Sequence, residues 1–167
     1  TDTAGSGRVP AGFNNIVGLK PTKGWFSASG VVPACRLNDT ISVFALTVED
    51  AFAVATAAGG YDAGDAYSRS NPHTAPASFK AQPDFAIPAT PEFFGDKQAE
   101  AAWLSALEQL QAGGATLHPI DFSVFHQLAE QLYYGPWVAE RTVAVGEMIN
   151  RPEEMDPVVY GIVSSGL

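Results

Sequence analysis

The sequence predicts an α/β fold, with strands and helices alternating in packed layers. Two patterns carry the expectation. Short β-branched and aromatic runs at 42–46 (SVFAL), 85–87 (FAI) and 115–120 (ATLHPI) have the length and composition of strands. Between and after them, apolar residues recur three and four positions apart, as on one face of a helix. Apolar residues make up 46% of the 167 and charged residues only 16%, a balance that supports a packed core and excludes wholesale disorder.

The elements follow in chain order. Residues 1–35 are crowded with Gly and Pro, so short strands such as 16–19 and 31–32 are expected between loops, rather than helix. Residues 42–46 read as a buried strand. A helix begins at about Val48, with Glu49 and Asp50 in its first turn where the helix dipole favours acids. It ends at Gly59 and Gly60. Residues 59–82 have no usable periodicity and read as a long surface connection.

A strand at 85–87 comes next. Ala99, Ala102, Trp103, Ala106, Leu107 and Leu110 then mark an amphipathic helix closed by Gly113 and Gly114, and 115–120 is another strand. Phe125, Leu128, Ala129, Leu132 and Tyr133 share a face of a further helix. Gly135 and Pro136 interrupt it, and Pro136 suits the first position of the next, whose apolar face is Trp137, Val138, Ala144, Val145 and Met148. Glu153 and Glu154 read as a helix start or a surface feature.

Charge and composition exclude several functions. Asp and Glu total 18 against 9 Lys and Arg, a formal net charge of −9, which repels nucleic-acid backbones and anionic membranes. No stretch approaches the roughly 18–20 apolar residues of a membrane helix, and no basic-then-apolar leader opens the chain. Cys35 is alone, so neither an intrachain disulfide nor a cysteine metal cluster is expected. A reducing, cytoplasmic setting fits, with Cys35 as a small buried structural residue.

The stretch Thr3-Ala4-Gly5-Ser6-Gly7-Arg8 carries the first chemistry. A serine between glycines has little steric cover, and small residues before it let several backbone N–H groups turn toward one point. Acyl transfer needs that pairing of a hydroxyl with oxyanion donors; a plain turn with a locally bonded serine is the competing reading. A phosphate loop fits worse, since Gly5-x-Gly7 lacks a third glycine and no Gly-Lys-Ser/Thr follows. The α/β-hydrolase elbow fails because Ala4 stands where it needs glycine. Arg141 carries the second. Its neighbours one turn away are Trp137, Val138, Ala144 and Val145, none acidic, so a distant carboxylate, a ligand anion or water must meet its guanidinium.

The run TDTAGSGRVPAGFNNIVGLKPTKGWFSASGVVPA resembles the second half of the signature of the amidase signature family, including the Asp-x-x-x-Ser-x-Arg core, Pro10 and Gly-Leu-Lys-Pro-Thr at 18–22. LYYGPWVAER, VVPACR at 31–36, SVFALT at 42–47 and the Asp-x-x-Ser-Arg run ending at Arg69 resemble its allophanate hydrolase subgroup. The resemblance implies a mixed central sheet covered by helices, with Ser6 as acyl nucleophile. It also implies an oxyanion hole of the Thr3, Ala4, Gly5 and Ser6 backbone N–H groups, and Asp2 and Arg8 bracing the loop. Tyr133 and Arg141, eight positions apart, would bind the carboxylate of allophanate (urea-1-carboxylate). The spacing Arg36-Leu37-Asn38-Asp39 departs slightly from the subgroup, and no role is assigned to it.

The family activates its nucleophile through a second serine on a cis peptide and a lysine of depressed pKa, both upstream. Lys20 and Lys23 lie downstream in a segment the family uses structurally, and His73, His118 and His126 suit surface or packing roles. The expectation is therefore that residues 1–167 are the C-terminal portion of an amidase-signature domain, inactive alone and completed by the remainder of the same enzyme. No metal or organic cofactor is implied, the partner is a small-molecule substrate, and a homodimer is left open. The rival readings are an amidotransferase subunit or another amidase-signature amidase, and a non-catalytic α/β domain.

Overall fold

A computed structural model describes residues 1–70 and 80–167, which form two units, Thr1–Thr74 with Ala129–Leu167 and Ala75–Leu128. The predicted connection at 59–82 is described as far as residue 70; there Asp62 and Asp65 dock it onto Ser27, Ser29 and the Ala28 N–H. The rest of that connection up to residue 79, with His73, lies outside the described residues.

The first unit opens with the serine loop and continues into α1 (Val9–Phe13), β1 (Val17–Leu19), β2 (Val43–Ala45) and α2 (Val48–Ala58). β1 and β2 pair antiparallel, Val17 opposite Ala45 and Leu19 opposite Val43. α2 starts as expected: the Thr47 hydroxyl accepts the Asp50 N–H at 3.1 Å, and Glu49 and Asp50 occupy the first turn. Ala51 and Ala55, one turn apart, are its buried residues. α5 (Val138–Val145) and α6 (Pro157–Val163) complete this unit with short 3-10 turns. Val138, Thr142 and Val163 are buried between them, and the Thr142 hydroxyl donates to the Val163 carbonyl.

The second unit is a β-α-β arrangement: β3 (Asp84–Pro88), α3 (Lys97–Ala112) and β4 (Thr116–Ile120), the strands parallel with Asp84 opposite Thr116 and Pro88 opposite Ile120. The Asp96 carboxylate caps α3 by accepting the Gln98 and Ala99 N–H groups, and Gly113 and Gly114 end it as expected. His118 Nε2 lies 2.9 Å from Asp84 Oδ1 across the two strands. α4 (Ser123–Tyr134) begins here and ends in the first unit. No helix among the described residues is long and apolar enough to cross a membrane.

The α/β expectation holds, with parallel and antiparallel pairing each in its own two-stranded sheet. Four local expectations need correction. Residues 9–13 are helical, because Pro10 sits in the first turn where its missing N–H costs nothing and the Gly5 carbonyl accepts from Arg8 and Val9. Val31 and Val32 form no strand: Gly30 precedes them at φ +79 and Pro33 lacks a ladder donor. The strand at 43–45 is half exposed, since it pairs on one edge only and Phe44 and Leu46 face outward at 53% and 82% exposure. α5 begins at Val138, after a turn in which Gly135 and Pro136 carbonyls accept from Val138 and Ala139; Met148 falls in a 3-10 turn beyond it.

Candidate active site

The serine loop is built around a buried carboxyl. Asp2 is fully buried, and its two oxygens accept from the Gly5 N–H (2.7 Å), the Gly7 N–H (3.0 Å) and the Arg8 guanidinium (2.9 and 3.1 Å). Its backbone is held as well, by an antiparallel bridge to Thr40 with bonds of 2.7 and 3.1 Å. Burial alone would raise the Asp2 pKa. The Arg8 hydrogen bonds, the two backbone donors and the Arg8 charge outweigh it and lower the carboxyl from 3.8 to about 2.

Glycine is required at both flanks of the serine. Gly5 has φ +128, a conformation side chains disfavour. Gly7 packs so closely that a Cβ would collide with the Ser42 side chain. Held this way, Ser6 is exposed at the loop's apex. Its hydroxyl, and the N–H groups of Thr3, Ala4 and Ser6, have no hydrogen-bond partner among the described residues. The Gly5 N–H is different. It donates to Asp2, so of the four N–H groups expected at an oxyanion those of Thr3, Ala4 and Ser6 are the ones without an internal acceptor among the described residues.

Sequence reasoning assigned nothing to Asp39, yet it is the loop's second buried anchor at 4% exposure. It accepts from the Thr3 hydroxyl at 2.5 Å, from the Ala34 N–H at 2.9 Å and from the Cys35 N–H at 3.2 Å. Lys23 Nζ donates to the Asp39 carbonyl at 2.6 Å and sits 4.7 Å above the Tyr67 ring; Lys20 donates to the Pro21 carbonyl. Both lysines therefore donate to backbone carbonyls. Cys35 is wholly buried, and burial pushes its thiol pKa up, away from nucleophile chemistry.

Tyr133 and Arg141 come together, at the end of α4 and on α5. The Arg141 guanidinium stands 5.4 Å from the Tyr133 ring centroid and donates to the Leu132 carbonyl. It is half-buried and forms no ion pair among the described residues. The neighbouring Glu140 is engaged elsewhere, its Oε2 accepting the Arg36 N–H at 2.6 Å. A cavity of about 60 Å³ lined by Lys23, Arg36, Asp39 and Tyr67 among others does not include Ser6. Among the described residues no three His, Cys, Asp or Glu side chains converge to hold a metal.

An α/β chain whose exposed serine is held by glycines over a buried, arginine-paired aspartate has the framework of the amidases. Residues 1–160 match the Amidase family model, and the chain belongs to that family. It is 43% identical to the urea amidolyase of Lachancea kluyveri over 99% of this chain and 9% of that protein. The crystallised allophanate hydrolase of Kluyveromyces lactis superposes with a TM-score of 0.92 at 39% identity, over 99% of this chain and 28% of that one. A glutamyl-tRNA(Gln) amidotransferase subunit from Nostoc punctiforme is 41% identical over 72% of this chain and 26% of its own length. The chain thus spans only a minor part of these relatives.

Proposed function

We propose that this chain carries the acyl nucleophile and the carboxylate grip of an allophanate hydrolase. Ser6 Oγ attacks the terminal amide carbonyl of allophanate. The developing oxyanion is met by the Thr3, Ala4 and Ser6 N–H groups, which have no internal acceptor among the described residues. Collapse of the tetrahedral intermediate breaks the C–N bond and releases ammonia, leaving a Ser6 ester. Water hydrolyses that ester and restores the hydroxyl. Lys20 and Lys23 donate to backbone carbonyls, which speaks against either as the base. The lysine and second serine of the family mechanism are assigned to the part of the relatives' length that this chain does not span.

The observation that carries the choice of substrate is the Arg141–Tyr133 pair. A guanidinium partly out of water, stacked on a phenol ring and without an acidic partner among the described residues, suits a planar carboxylate, which allophanate has and a simple amide lacks. The likeness along 99% of this chain to parts of urea amidolyase and allophanate hydrolase points the same way. A second reading, an amidotransferase-type amidase, is favoured by the Nostoc relative; it keeps Ser6 and gives Arg141 no substrate role. Ser6→Ala, in the protein that carries this chain, is expected to cut ammonia release from allophanate by about 10⁴-fold or more with the fold intact by circular dichroism. Turnover surviving that substitution rules out the nucleophile assignment.

A further inference from the structure

The Asp2 carboxyl directly holds none of the Thr3, Ala4 and Ser6 N–H groups, but Ser6 lies between Gly5 and Gly7, whose N–H groups it does hold, which leaves Thr3 and Ala4 further from that anchor. Ala4 has no polar side chain. Thr3 has one tether, its hydroxyl, which donates to Asp39 Oδ1 at 2.5 Å from 36 positions away. Asp39 is itself immobilised: Ala34 and Cys35 N–H groups occupy its carboxyl, its own N–H donates to the Cys35 carbonyl at 2.7 Å, and Lys23 binds its carbonyl. The adjoining Thr40 makes the bridge to Asp2. One short segment therefore grips the loop twice, by main chain at Asp2 and by side chain at Thr3.

We propose that Asp39 is a positioning residue for acyl transfer at Ser6, acting through the Thr3 hydroxyl to fix the direction of the Thr3 and Ala4 N–H groups. The inference rests on the reading of Ser6 as nucleophile. The bridge holds the 2–3 peptide plane at the Asp2 carbonyl, the Gly5 N–H on Asp2 holds the 4–5 plane, and the 3–4 plane between them has the Thr3 tether at its near end. Oxyanion donors act because they are already aimed when charge develops; a plane free to rotate must reorient during the reaction. That loss falls on the transition state more than on the bound amide, so it is read in kcat rather than KM.

The test uses the protein that carries this chain, with allophanate as substrate. Thr3→Val removes the hydroxyl with little change of shape. It is expected to lower kcat about 10–100-fold with KM within about twofold, and Thr3→Ser to recover most of that loss. Asp39→Asn is expected to lower kcat in the same direction, and adding Thr3→Val to it to cost little more, since both break one tether. A Thr3→Val enzyme with the parent kcat, a loss that Thr3→Ser does not recover, or independent effects in the double variant would each overturn the proposal. Should buried Asp39→Asn fail to fold, the Thr3 pair decides alone. Ser6→Ala run in parallel separates the two claims. Activity surviving there sinks the nucleophile reading, whereas an inert Ser6→Ala beside a fully active Thr3→Val sinks the positioning role only.

Discussion

Asp2 is surrounded by donors: two backbone N–H groups and two guanidinium nitrogens converge on a carboxyl with no exposed surface. Each favours the charged form, so protonation must break an arrangement that unfolding would relieve. The native pKa of about 2 lies below the ordinary 3.8. The group therefore stabilises the fold fully above about pH 4, and the contribution is lost as pH falls toward 2. The difference corresponds to about 2 kcal/mol. Urea unfolding of the chain from pH 2 to 6 should show this slope, and Asp2→Asn should flatten it while lowering stability near pH 6. An unchanged slope in the variant would mean the loop is not held by this carboxyl.

At the scale of elements, α4 and α5 matter most, because their junction sets the Arg141–Tyr133 pair. Arg141→Ala is expected to raise KM for allophanate about 10–100-fold, and Tyr133→Phe by a smaller factor, from the lost charge-assisted hydrogen bonds. An uncharged amide should be far less affected; equal losses on both substrates would favour the amidotransferase-type reading. What the sequence made legible has the same physical basis. α2, of 11 residues, could be read from its acidic first turn and glycine stop, and α3, of 16, from its apolar period and glycine stop. α1 and α6, with 5 and 7 residues, are too short for a period to emerge. Arg141 could be singled out because a charge among apolar neighbours is conspicuous locally. Asp39 could not, since the hydroxyl it holds lies 36 positions away and only folding brings them together.

Burial across the molecule is uneven. The first unit contains the buried apolar residues Ala11, Phe26, Cys35, Ala51, Ala55, Leu132, Val138 and Val163, and the buried Asp2, Asp39, Thr40 and Thr142. In the second unit none of the described residues 80–128 reaches that degree of burial; Trp103, Leu107 and Leu117 are half-buried at best. Local opening costs little where few apolar groups must be exposed and the backbone bonds are already wet. Hydrogen exchange on the 167-residue chain should therefore separate the two. Amides of α3, β3 and β4 are expected to exchange at least about tenfold faster than those of Gly5 and Gly7 on Asp2, of the Asp2–Thr40 bridge, and of the inner face of α2. The frame around Ser6 would then be the most persistent part of the chain, as a pre-aimed set of donors requires. Equal protection in both units, or faster exchange at Gly5 and Gly7 than along α3, would contradict that ordering and remove the rigidity on which the proposed oxyanion geometry depends.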